Sequence, residues 1–145
     1  MSGAAPVVDL AAILAASPTV AVLGIHDDPA RPAHYVPAYL HAQGYRILGV
    51  NPGLAGRVLF GAPVVASLAE LTEPYQLVDV FRRPAALPDH LAELAACPAP
   101  VVWLQEGIRH AEVAAALRGA GKVVVEDRCT LAEHRRRGLG APRPG

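Results

Sequence analysis

The residues able to do chemistry in this 145-residue chain gather at a few turns. Gly24-Ile25-His26 follows an apolar run at 20–23, with Arg31 and His34 just ahead of the helical pattern Tyr35, Val36, Tyr39, Leu40. Asn51-Pro52 ends the run 45–50, Phe81-Arg82-Arg83 ends 77–80, Gln105-Glu106-Gly107 ends 101–104, and Asp127-Arg128-Cys129 ends 122–125. A glycine at a strand end lets backbone amides approach an anion closely, and the N-terminus of the helix that follows adds about half a positive charge. His26, Arg31 and His34 supply donors suited to phosphate, and Arg82 adds a second guanidinium. Asn51 both donates and accepts, as a ribose or phosphate contact requires, and Gln105 and Gly107 offer backbone contacts. The common chemistry is recognition of a nucleotide-like ligand.

Other constellations carry less. Glu106 and His110 stand four apart at the expected start of a helix, but without a third ligand they read as a surface pair. The six histidines have no zinc spacing, and the two cysteines form neither a metal motif nor a disulfide framework. No nucleophile, base and orienting group can be assembled, so the motifs favour binding over catalysis. Arg135-Arg136-Arg137 reads as a solvated helix end complementing the macrodipole.

These turns need a scaffold. The length suits one domain, and a 52% hydrophobic composition suffices for a core. Asp9 can cap a short helix carrying Leu10, Ile13 and Leu14 on one face. Strands are expected at 20–23, 45–50, 63–65, 77–81, 101–104 and 122–125, alternating with helices. Ser67 to Glu70 and Thr130 to Glu133 each match a capping box. This rhythm predicts a single doubly wound, mostly parallel Rossmann-like α/β sheet, order 3-2-1-4-5-6, with helices on both faces. Its ligand belongs beyond the carboxyl ends of the strands, at the switch point between the first and fourth. The domain is expected over 1–137, with 138–145 a disordered tail rich in proline and glycine.

Thirteen basic and thirteen acidic residues leave no net field to attract nucleic acid. No apolar run reaches a membrane span and no export signal stands at the N-terminus, so a cytoplasmic protein is expected. A nicotinamide dinucleotide fits poorly. In a G-x-G-x-x-G register from Gly24 the later glycines fall on His26 and Pro29, and Asn51 stands where an acid would hold the ribose.

Taken in order, Gly24, Gln43-Gly44-Tyr45-Arg46, Val50-Asn51-Pro52, Val80 to Pro84, Val102 to Ile108 and Val125 to Cys129 resemble the stand-alone CoA-binding domain family. These are small Rossmann-like proteins similar to the CoA-binding domain of the succinyl-CoA synthetase alpha subunit, and the likeness spans residues 18–135. It implies coenzyme A or an acyl-CoA as ligand, with its phosphates near the turn after Gly24 and its other parts near Asn51-Pro52 and Phe81-Arg82. The candidate contacts, from the residues themselves and the likeness together, are Gly24, Ile25, His26, Arg31, His34, Asn51, Pro52, Phe81, Arg82, Gln105 and Gly107; His26 and His34 stand near places where the family often has small hydroxyl residues. Asp27 and Asp28 depart from a phosphate loop unless both point away. Cys129 reads first as a small buried residue at a strand end; the alternative is a thiol whose pKa, beside Arg128 and a helix start, can be lowered and which could form a mixed disulfide with such a ligand. The implied function is non-catalytic CoA binding. A small Rossmann-type enzyme using acyl-CoA or NAD(P), and a ligand-sensing subunit, remain open, as does a homodimer or another protein partner.

Overall fold

The computed structural model describes residues 8–144. Asp9 caps α1 (Leu10–Ala15), its carboxylate accepting from Ala12 N–H at 3.0 Å. The chain then alternates as expected: β1 (Thr19–Leu23), α2 (Pro32–Ala42), β2 (Arg46–Val50), the short pair β3 (Val58–Leu59) and β4 (Ala62–Pro63), then β5 (Leu77–Val80) and α3 (Leu87–Ala96). It closes with β6 (Val101–Leu104), α4 (Ala111–Gly119), β7 (Val123–Val125) and α5 (Thr130–Arg137). No helix among the described residues is long and apolar enough to cross a membrane.

Five parallel strands form the sheet in the order β2-β1-β5-β6-β7. This is the expected doubly wound α/β sheet without its outermost strand. That place holds a single parallel bridge between Val50 and Val65. The expected strand at 63–65 is broken because Pro63 has no N–H to donate and pairs with Val58 in the β3–β4 hairpin. Phe60 and Gly61 close that hairpin with φ of 53° and 82°, the paired positive values of a two-residue turn.

Residues on alternate strand positions face opposite layers. Ala21, Leu23, Val78 and Val80 meet Leu87 and Leu94 of α3 and Val113 and Leu117 of α4. Val20, Val22, Ile47 and Trp103 meet Leu14 of α1 and Leu40 of α2 on the other face, where α5 packs beside both helices. Each fully buried leucine here contributes about 1.5–3 kcal/mol.

Three local expectations change. Neither capping box closes: Ser67 Oγ meets the Glu70 side chain rather than a backbone amide, at 3.1 Å, and Glu133 pairs with Arg136 and Arg137. His110 is not on a helix but caps α4, its Nδ1 accepting from Val113 N–H at 3.1 Å, so it forms no surface pair with Glu106. Residues 138–144 also pack. His134 is buried, and its Nε2 contacts the Gly140 carbonyl at 2.6 Å. Arg143 N–H donates to Ala15 O at 2.9 Å, and Leu139 joins the core. Residues 1–7 of the expected domain and Gly145 of the expected tail lie outside the described residues.

Candidate functional site

The switch point lies between β1 and β5, where the chain leaves the sheet at Gly24 and at Phe81. Gly24 sits there with φ +91°, and its N–H donates to Val50 O at 2.8 Å. A Cβ built on it would stand 2.5 Å from the Phe81 carbonyl oxygen and 3.2 Å from Arg82 Cδ. The glycine therefore lets the two strand ends close on each other and lets the Arg82 stem lie across the turn.

Above this point opens a cleft of about 540 Å³. From the expected contacts it brings together Gly24, His26, Arg31, Asn51, Phe81, Arg82 and Gln105. A smaller depression of about 240 Å³ adjoins it through Gly24, Asn51 and Arg82, and takes in Pro52. Ile25 is fully buried in the core instead. His34 turns away, its ring 5.1 Å from that of Phe60, because it shares a helix face with His41, which meets the same ring at 5.5 Å. Gly107 does not line the cleft; its N–H donates to Asp127 Oδ1 at 2.6 Å. That bond, with Arg109 beside it, holds the Asp127 carboxyl below its usual range.

The electrostatics of the cleft favour an anion. The first turn of α2 has neither an acidic residue nor a side-chain cap, so its positive pole is not neutralised. Arg31, Arg82 and Arg83 line the cleft against one acid, Glu106. The two aspartates of the loop have partners of their own: Asp27 pairs with Arg57 at 2.8 Å and also stands 3.5 Å from Nδ1 of His26, and Asp28 accepts from Ala30 N–H at 3.0 Å. Pro37, inside α2, has no N–H for the Ala33 carbonyl, which accepts from His26 N–H at 3.1 Å and ties the loop to the helix. Asn51 is a strut: it donates to Ile25 O at 2.7 Å and accepts from Gly53 N–H at 2.9 Å.

Sequence reasoning passed over a buried network beneath the floor. Asp79 is fully buried in β5, across from Val22 on one side and Trp103 on the other. Gln105 Nε2 donates to Asp79 Oδ1 and to Thr130 Oγ1, the latter at 2.8 Å, and Thr130 donates to Asp79 Oδ2 at 2.9 Å. The Gln105 side chain is thus turned inward. Burial pushes the Asp79 carboxyl up to about 7, against the opposing effect of these hydrogen bonds. An acid inside the apolar run Leu77-Val78-Asp79-Val80 was the available signal. Arg83 lines the cleft beside Arg82, and Tyr35, half-exposed, and Ile108 line it without having been expected as contacts.

Cys129 lines the cleft as well, but its thiol is not activated. Burial raises its pKa more than the Ala132 and Leu131 amides lower it, and the charges of Asp79 and Glu106 raise it further. Thiol exchange needs the thiolate. Incubation with CoA disulfide at neutral pH should therefore leave Cys129 unmodified by intact-mass measurement, and a rapid stoichiometric adduct would contradict this account of its surroundings.

Three comparisons bear on the site. A family model described as the CoA binding domain matches residues 18–135. The YneT protein of Bacillus subtilis (strain 168) is 36% identical over 122 residues, covering 84% of this chain and 89% of that protein. A Thermus thermophilus protein of solved structure is 57% identical with a TM-score of 0.86, over 88% of this chain and 95% of that one. A Pyrococcus horikoshii OT3 protein, 28% identical, superposes with a TM-score of 0.82 over 94% of this chain and 98% of its own.

Proposed function

The chain belongs to the CoA binding domain family, and from that premise we propose that it binds coenzyme A or an acyl-CoA at the switch-point cleft without transforming it. The observation that carries the reading is the convergence of three anion-binding features on one cleft: the close turn at Gly24, the unneutralised N-terminus of α2, and the guanidinium groups of Arg31 and Arg82. The ligand's phosphates fit this end. Its pantetheine arm fits the side lined by Ile108, Gln105 and Cys129, which carries few charges.

What surrounds that arm supports binding without reaction. The Cys129 thiol is held neutral, Asp79 is sealed beneath the floor, and among the described residues Glu106 makes no hydrogen bond to that thiol or to any other nucleophile. Calorimetric titration of CoA, with NAD, NADP and ATP as comparisons, tests the first half. Micromolar or tighter binding of CoA, about 8 kcal/mol or more, with weaker binding of the others, is the expected result. Absence of CoA binding overturns it. Acetyl-CoA should be recovered intact after prolonged incubation with the protein.

A further inference from the structure

We infer that His90 and Glu93 form a relay that positions Arg82 for an anionic ligand, an inference that rests on the proposed CoA site. Arg82 Nε donates to His90 Nε2 at 3.2 Å. Because arginine only donates, Nε2 is the acceptor and the ring proton lies on Nδ1. Nδ1 faces Glu93 Oε2 at 2.7 Å. The other Glu93 oxygen accepts from Leu68 N–H at 3.0 Å, so the relay ends on backbone.

This arrangement uses one edge of the guanidinium and spares the other. Among the described residues, neither terminal nitrogen of Arg82 has a hydrogen-bond or ion-pair partner, while its stem rests over Gly24 and its head borders both the cleft and the adjoining depression, which His90 also lines. An exposed arginine would otherwise lose much side-chain freedom on binding. Held by Nε, it keeps two parallel donors free for a phosphate. The relay acts on the ligand only through Arg82, so His90 and Glu93 are positioning residues.

The test is a set of CoA titrations on the full chain with Arg82→Ala, His90→Phe, His90→Gln and the double variant Arg82→Ala/His90→Phe. Phenylalanine keeps the ring and removes the acceptor, whereas glutamine returns an acceptor near the Nε2 position. His90→Phe should weaken CoA binding by about tenfold, a change typical of one charge-assisted contact, and His90→Gln should recover most of it. The double variant should bind no more weakly than Arg82→Ala alone. Pantetheine, which has no phosphate, should bind wild type and His90→Phe alike. Unchanged CoA binding by His90→Phe, or losses that add in the double variant, overturns the relay. If wild type fails to bind CoA, the functional reading falls, and the relay is decided by the Arg82 Nε–H resonance. A signal present in wild type, lost in His90→Phe and recovered in His90→Gln upholds it; one indifferent to His90 overturns it.

Discussion

Gly24→Ala should lower the melting temperature by an amount on the order of 10 °C and remove CoA binding. Two costs combine at this position. An alanine at φ +91° pays about 1–2 kcal/mol for left-handed backbone. Its Cβ would also stand 2.5 Å from the Phe81 carbonyl oxygen, a backbone atom that cannot move without shifting the end of β5. Overpacking of that kind costs about 1–3 kcal/mol. For a domain of this size each kcal/mol moves the midpoint by about 4 °C. Gly121 provides the control, since its φ of +92° is nearly the same and nothing lies within 4 Å of a Cβ there. Gly121→Ala should therefore lose only the backbone part and keep CoA affinity. Thermal melts of the two variants decide the matter: equal losses would mean that the close approach of the strand ends has no energetic weight.

The same position shows why the sheet was legible in the sequence. Short β-branched runs, each ended by a glycine, proline or arginine cluster and followed by a helical pattern, admit few arrangements once right-handed crossover is imposed. Gly24 could be assigned because a strand-to-helix turn at the switch point is a local feature. The outermost strand could not, because whether 63–65 pairs with β2 or folds back as a hairpin depends on a competition between Pro63 and the Phe60-Gly61 turn.

The site was legible by location more than by residue. Arg31 and Arg82 reach the cleft because they sit at strand or helix ends, where the fold itself puts them. His34 was misplaced because its direction depends on helix phase: seven residues before His41, it faces the hairpin ring of Phe60. Asn51 lines the cleft, yet its amide serves the backbone of Ile25 and Gly53. The relay from Glu93 through His90 to Arg82 and the network of Asp79, Gln105 and Thr130 join residues far apart in the chain, and no spacing rule marks such pairs.

That buried network supports the prediction with the widest reach. Asp79 has a folded-state pKa of about 7 against an ordinary 3.8, raised by burial. A raised carboxyl pKa means that the folded state holds its proton where the unfolded chain has released it. Between the two values the unfolded chain binds fewer protons, so stability falls as pH rises. The contribution is whole below about pH 4 and is lost by about pH 7, and the window corresponds to about 4 kcal/mol.

Asp79→Asn imitates the protonated acid: its amide nitrogen donates toward Thr130 while its oxygen accepts from Gln105, with no charge to bury. In urea unfolding the variant should gain on wild type by about 3 kcal/mol between pH 5 and pH 8. A gap that stays constant with pH would show that Asp79 does not titrate in this range. Gln105 and Thr130 tie the end of β6 to the start of α5 through Asp79. Thr130→Val, which removes the hydroxyl at nearly constant volume, leaves Asp79 Oδ2 without its donor. That variant should destabilise the fold most at pH 8, where the carboxylate most needs the bond, and least at pH 5.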